Sequence, residues 1–128
     1  MKTPADITDE MLTFLREYHL ASLTTFRADG SPHVVPVGFS YDHDTHTVRI
    51  ITFSSSAKYR NALRGGRAAV SQVDGGRWLT LEGTVSGTDD PDRVSAAVAG
   101  YAARYRQPGE RDDRVTVEIA VDRVMGRA

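Results

Sequence analysis

The sequence predicts a mainly β protein with flanking helices, an α+β fold. Short β-prone runs separated mostly by tight turn signals indicate six strands in an antiparallel sheet, closed or nearly closed into a barrel. Helical patterns interrupt the strands too rarely for a parallel, doubly wound sheet. The predicted order is α-β-β-β-α-β-β-α-β, and the length suits a single domain over residues 1–128.

The first half of the chain predicts one helix and three strands. DITDEMLTFLREYH carries apolar residues at helical spacing, and Asp6 or Thr8 can serve as its N-cap. The apolar residues of that face are Ile7, Met11, Phe14, Leu15 and Tyr18. The runs LASLTTF, PHVVPVGFSY and TVRIITF then read as a meander, with Asp29-Gly30 in the first turn and an irregularity at Pro36.

The second half alternates helices with strands. A short helix over residues 57–64 ends at Gly65-Gly66, and RAAVSQVD and RWLTLEGTVSGT form a hairpin about Gly75-Gly76. DDPDRVSAAVAGYAARYR is a helix with Asp90 as its cap and Pro91 in its first turn. The closing run RVTVEIAVDRVMG alternates apolar and polar residues, which predicts a half-buried strand.

Composition excludes several classes of function. The net charge of −1 argues against a nucleic-acid or membrane-surface partner, and the absence of cysteine excludes disulfides and thiolate metal sites. No apolar run is long enough to be a signal core or a membrane span, so we expect a cytoplasmic protein. Arginine greatly outnumbers lysine, and Lys2 and Lys58 are the two lysines of the chain.

The segment RIITFSSSAKYRN carries the clearest chemistry. A strand leads into three serines and a helix start, where free backbone N–H groups and hydroxyls can bind an anion. The serines could equally do no more than cap the helix. Lys58 favours the anion site, because a cation in a first helical turn opposes the helix dipole unless an anion compensates it. Arg60, Arg64 and Arg67 extend the basic stretch.

Other candidates are less distinctive. His43 and His46 lie in a polar turn, which favours a solvent-exposed loop over a metal site, and we expect no metal. His33 could face solvent or a ligand. Trp78 favours the core over an aromatic ligand wall, and Gly83 and Gly87 suggest bulges or bends.

Three blocks carry a family resemblance: DGSPHVVPVGF, RIITFSSSAKYRNALRGGRAAVSQVDGGRWLTLEG and VTVEIAVDRVMG. They resemble the split β-barrel of pyridoxamine-phosphate-oxidase-like proteins. They are more closely similar to the deazaflavin (F420)-dependent reductases of actinobacteria, in the B branch of the flavin/deazaflavin oxidoreductases, and within it to the biliverdin reductases. The resemblance implies a homodimer with two cofactors at the subunit interface.

The same resemblance implies a set of F420-binding residues along the ring, the ribityl chain, the phosphate, the acidic tail and the pocket wall. In that order they are His33, Val34, Val35 and Pro36; Ile51 and Thr52; Ser55, Ser56, Ala57 and Lys58; Arg60, Asn61 and Arg64; and Gln72 and Trp78. The resemblance leaves open whether Gln72 and Trp78 line the pocket of their own subunit or that of the other subunit. FMN-binding relatives often carry a second basic residue before the lysine. Ala57 stands there in this chain, which favours F420 over FMN.

The implied activity is hydride transfer from reduced F420 to a small conjugated acceptor, with biliverdin as the candidate. The cofactor would perform the chemistry, so no catalytic residue stands out. Arg77 is the candidate for stabilising developing negative charge. Two alternatives stay open at this point: an FMN-dependent oxidoreductase, and a flavin- or haem-binding protein without turnover.

Overall fold

The computed structural model describes residues 2–128, in which three α-helices flank a seven-stranded sheet. The helices are α1 (Asp9–Arg16), α2 (Ala57–Leu63) and α3 (Pro91–Arg104). The strands are β1 (Ala21–Phe26), β2 (Pro32–Val37), β3 (Ser40–Asp42), β4 (Thr47–Phe53), β5 (Arg67–Asp74), β6 (Arg77–Thr88) and β7 (Arg114–Arg127). No helix within the described residues is both long and apolar enough to cross a membrane.

The sheet has the order β2-β1-β5-β6-β7-β4-β3, and all its neighbours are antiparallel. The prediction of six strands in a closed or nearly closed barrel was wrong, because PHVVPVGFSY forms two strands and the pairing does not close. The two strands lie at opposite ends of the sheet. Since only Gly38 and Phe39 join them, the sheet must curl until its ends come together.

The break between β2 and β3 has a packing reason. A Cβ on Gly38 would lie 2.9 Å from Tyr101 Cε2 and 3.0 Å from Tyr105 Cε2, so α3 packs directly on this backbone. The Tyr105 hydroxyl accepts a hydrogen bond from the Phe39 N–H (3.3 Å) and donates one to the His19 carbonyl (2.7 Å). Helix α3 therefore fixes the point at which the chain crosses from one sheet edge to the other.

The core fills the inside of the curled sheet. Its largest fully buried side chains include Phe14, Phe39, Leu23, Ile50, Leu79, Leu81 and Ile119. Strand β7 is buried on both faces between Val115 and Ile119, since Thr116 and Glu118 are covered as well. The prediction of a half-buried strand was wrong there, because Arg93 of α3 bonds Glu118 on the second face.

Local chemistry sets the helix starts as predicted. Thr8 caps α1 by accepting a hydrogen bond from the Met11 N–H (3.1 Å), and Asp90 caps α3 in the same way. Helix α1 ends at Arg16, so Tyr18 lies beyond it and is 67% exposed. The prediction that Tyr18 belongs to the apolar face of this helix was therefore wrong. Gly83 lies at a β-bulge, as predicted, and a Cβ there would sit 1.8 Å from the Ala120 carbonyl oxygen.

Candidate functional site

A cleft of about 350 Å³ opens between β2, β4, α2 and the segment that joins α3 to β7. Residues 50–52 of β4 and 36–38 at the end of β2 line it from the sheet. Lys58 lines it from α2, and Tyr101 from α3. Arg106, Pro108, Gly109, Arg111 and Arg114 complete the lining. The cleft thus forms where the two ends of the sheet approach each other.

Four cationic side chains line the cleft, and one of them, Arg111, is paired with Asp113. The four are Lys58, Arg106, Arg111 and Arg114, whereas none of the lining residues is acidic. Burial lowers the pKa of Lys58, and its ammonium has no carboxylate within 4.0 Å among residues 2–128. A partly buried cation without a counter-ion is costly in the empty cleft, so the cleft favours an anionic ligand.

The segment between α3 and β7 is tied to the serine turn. Arg111 donates two hydrogen bonds to Asp113 (2.8 and 3.1 Å), which raise the pKa of the arginine, and its guanidinium stacks 4.6 Å from the Phe53 ring centre. The Ser54 N–H donates to the Asp113 carbonyl at 2.9 Å. Arg114 faces Phe53 in the β4–β7 register. Both arginines therefore lie beside the turn that carries the three serines.

The serine turn holds one structural hydroxyl and two exposed ones. Ser56 is buried and caps α2, because its Oγ accepts hydrogen bonds from the Tyr59 N–H (3.2 Å) and the Thr52 hydroxyl (2.9 Å). Only its own proton remains for a ligand. Ser54 and Ser55 are exposed. Because α2 has only seven residues, the charges of the side chains matter more to the site than the helix dipole.

Four of the residues implied by the family resemblance line the cleft: Pro36, Ile51, Thr52 and Lys58. Ser55, Ser56 and Ala57 form the adjoining turn and helix start.

The preceding part of β2 alternates its side chains. Val34 is 58% exposed, whereas Val35 packs on the core and His33 is half-buried. The His33 Nδ1 is buried without a hydrogen-bond partner. Burial lowers the pKa of His33, and the charges of Arg27 and Lys58 add to that effect. His33 therefore lies close enough to Lys58 to feel its charge, although it does not line the cleft.

Three other implied residues, in α2 and at its end, lie outside the cleft and have partners in the protein. Asn61 is buried and donates to the Thr25 hydroxyl at 3.0 Å. Arg64 bonds Asn61 and the Phe26 carbonyl, and Arg60 donates to the Ser55 carbonyl at 3.0 Å. These contacts fasten α2 to β1 and to the serine turn.

Gln72 is fully buried and donates to the Phe14 carbonyl at 2.8 Å, so it ties α1 to β5. Trp78 lies on the outer face of the sheet beside Val73 and is 37% exposed. The preference for a core position of Trp78 was therefore wrong. The alternation along β6 turns Leu79 and Leu81 inward and leaves Trp78 outside.

Arg77, the catalytic candidate, takes part in a structural ion cluster away from the cleft. It bonds Glu17 (2.9 and 3.0 Å) and Asp74 (2.7 Å), and its guanidinium lies 4.6 Å from the Phe14 ring centre. Glu17, His19 and Asp74 place possible metal-ligand atoms within 4.8 Å of one another. Because Arg77 already occupies both carboxylates, this cluster is better explained as an ion-pair network.

This network predicts an acid-sensitive contribution to stability. The bond from Arg77, helped by His19, lowers the pKa of Glu17 to about 2 from its ordinary 4.5. A carboxyl group with a depressed folded-state pKa stabilises the fold above its unfolded pKa and loses that contribution as the pH falls through its folded pKa. We expect Glu17→Gln to show a flatter decline in unfolding free energy between about pH 4.5 and 2, measured by urea titrations. Parallel curves for the variant and the wild type would contradict this role.

Sequence reasoning missed nine of the residues that line the cleft: Val37, Gly38, Ile50, Tyr101, Arg106, Pro108, Gly109, Arg111 and Arg114. The available signal was the density of arginine in RYRQPGERDDR, where four arginines stand among three acidic residues. These arginines supply the additional positive charge that position 57 lacks.

Comparison with known proteins identifies the family. The sequence model described as pyridoxamine 5'-phosphate oxidase matches residues 7–127. The chain belongs to the pyridoxamine 5'-phosphate oxidase family. Within this family, it is 50% identical over 128 residues to an F420H(2)-dependent biliverdin reductase of Mycobacterium tuberculosis, covering all of this chain and 93% of that protein.

Two further similar proteins are also reductases. A 5a,11a-dehydrotetracycline/5a,11a-dehydrooxytetracycline reductase of Streptomyces rimosus is 36% identical over 109 residues, covering 84% of this chain and 69% of that protein. A solved F420 reductase superposes with a TM-score of 0.71 at 25% identity, covering 88% and 94% of the two chains. The resemblance to F420-dependent reductases, inferred from the sequence, is confirmed.

Proposed function

We propose that this protein is an F420-dependent reductase that transfers a hydride from the reduced deazaflavin to a conjugated acceptor, with biliverdin as the candidate. Likeness to an F420H(2)-dependent biliverdin reductase along the whole chain carries the proposal. The cationic cleft supports it independently, because F420 carries a phosphate diester and an acidic tail. No lining side chain would repel those anions.

The residues of the cleft fit F420. Lys58 and the exposed hydroxyl of Ser55 would hold the phosphate, with Arg111 and Arg114 adding charge from the facing segment. The apolar surface of Pro36 and Ile51 would take flat or extended parts of the cofactor. When it is bound and reduced, F420 supplies the hydride.

The protein contributes position, charge and exclusion of water. Arg111 is oriented by Asp113 and Phe53, so it presents its guanidinium without a further loss of side-chain freedom. Tyr101 is fixed by its packing on Gly38 and lies 4.9 Å from Tyr105, ring centre to ring centre. A rigid wall of this kind keeps bound groups oriented relative to one another.

We also propose that the protein works as a homodimer through the outer face of the sheet. By strand register, that face carries five exposed large apolar residues: Phe26, Val34, Val73, Trp78 and Met125. Several exposed large apolar side chains on one sheet face favour a protein interface. Light scattering of the purified protein tests the dimer, and Val73→Lys should shift it to monomer. The cytoplasmic location and the single-domain organisation stay predictions.

Paired cofactor titrations test the proposed function. Calorimetry should show saturable binding of F420 and markedly weaker binding of FMN. The enzyme should then catalyse the reduction of biliverdin by reduced F420. The loss of biliverdin absorbance monitors this reaction. Binding of FMN alone would overturn the choice of cofactor. Binding of F420 without reduction of any conjugated acceptor would favour a cofactor-binding protein.

A further inference from the structure

The cations of the cleft fall into two groups along the chain. Arg111 and Arg114 lie beside the serine turn through Phe53 and Ser54, as does Lys58 through α2. Arg106 lies two residues beyond the end of α3. It follows Tyr105, which is hydrogen-bonded to Phe39 and packs on Gly38.

Arg106 is free to bind a ligand. It is exposed and has no side-chain hydrogen-bond or ion-pair partner anywhere in residues 2–128. Arg104, two residues earlier, donates hydrogen bonds to four protein oxygens. Arg106 thus lines the cleft with the planar donors of its guanidinium unused, and such a fork of donors suits a carboxylate.

Tyr101 of α3 lines the same cleft as this arginine. The close packing of its ring on Gly38 fixes an aromatic surface in the cleft. An unpaired guanidinium and a fixed aromatic ring in one cleft match a planar conjugated molecule that carries a carboxylate.

We propose that Arg106 selects acceptors that carry a carboxylate, while Tyr101 contacts their conjugated body. This inference rests on the proposed function. The anions of the cofactor would bind at the serine turn, through Lys58, Arg111 and Arg114. The anion of the acceptor would bind at the α3 end, so that the two ligands do not compete for one set of cations.

Binding without turnover tests the assignment. The protein is saturated with oxidised F420 and titrated with biliverdin and with biliverdin dimethyl ester, which lacks the negative charges. We expect the wild type to bind the diacid roughly tenfold more tightly than the ester, the scale of one exposed charge-assisted contact. Arg106→Gln should weaken binding of the diacid to the level of the ester and leave the dissociation constants of the ester and of F420 unchanged.

Two variants serve as controls. Arg16→Gln removes an exposed arginine at the end of α1 that does not line the cleft, and it should preserve the preference for the diacid. Tyr101→Leu should weaken both acceptors to a similar degree, because the ring contacts the body that they share.

Each result decides the proposal. Equal binding of diacid and ester by the wild type, or a preference that survives in Arg106→Gln, overturns the inference while the reductase function stands. If Arg106→Gln binds F420 more weakly and still prefers the diacid to the ester, this arginine binds the cofactor, and the inference is likewise overturned. Failure of the wild type to bind F420 overturns the proposed function, and this inference with it.

Discussion

Replacing Arg104 with methionine should destabilise the fold by about 3 kcal/mol. This arginine ends α3 and donates to the carbonyls of Glu17 (2.8 Å), Phe39 (2.8 Å) and His19 (3.3 Å), and also to the buried amide oxygen of Gln72. Methionine fills a similar volume but leaves these acceptors without a donor. Urea titration should show this loss of unfolding free energy directly. Thermal unfolding should show a melting temperature lower by roughly 10 °C.

Matched variants separate the shape of the guanidinium from its charge. Arg16→Met removes an exposed arginine and should change the unfolding free energy by no more than about 0.5 kcal/mol. Arg104→Lys keeps the charge but not the planar fork, so it should recover little of the loss. Recovery of wild-type stability by lysine would show that charge alone matters, contrary to the hydrogen-bonding role.

Arg104 also explains how the cleft is held in shape. Its bonds join α3 to the end of α1, to the β2–β3 crossing and to β5, and its guanidinium lies 4.5 Å from the Phe39 ring centre. Burial lowers the pKa of Arg104, yet none of its bonded partners is a carboxylate. Neutral oxygens fixed by three different elements take the place of a counter-ion, so the position of α3 depends on this residue.

The parts of the site that could be predicted from the sequence are contiguous in the chain. Only a few residues separate the end of β4 from the first turn of α2. The serine turn, the Ser56 cap and Lys58 all lie there, where helix-capping preferences determine the local geometry. Arg106, Arg111 and Arg114 could not be placed in the same way. They reach the cleft only because the segment after α3 folds over β4, a long-range contact that no local pattern encodes.

Two of the misplaced residues were predictable from strand periodicity. In β5, Ala68, Val70 and Gln72 point inward together, so Gln72 belongs to the interior and not to a ligand wall. In β6, the same alternation places Trp78 on the outer face of the sheet, whereas Leu79 lies on the inner face. The break between β2 and β3 was different. The run through residues 37–39 stays apolar, and only the packing of α3 on Gly38 ends the strand.

Replacing Lys58 with alanine should weaken F420 binding by about 1.5–3 kcal/mol, or roughly 10- to 150-fold in the dissociation constant. This ammonium lines the cleft, has a lowered pKa through burial, and lacks a carboxylate within 4.0 Å among the residues described. A bound phosphate would be its counter-ion. Calorimetric titration with F420 measures the change in affinity. As a control, Lys2→Ala removes an exposed lysine that is distant from Lys58 in the sequence, and it should leave the affinity unaltered.

Stability of the empty protein gives the second measurement for Lys58. A cation in the first turn of α2 opposes the helix dipole, and its partial burial adds a cost, so Lys58→Ala should unfold at the same or slightly higher urea concentration. Loss of affinity with retained stability is what a ligand-binding cation predicts, because its cost in the empty cleft is recovered only on binding. A variant that binds F420 normally, or that loses stability and affinity together, would show that Lys58 serves the fold and not the ligand.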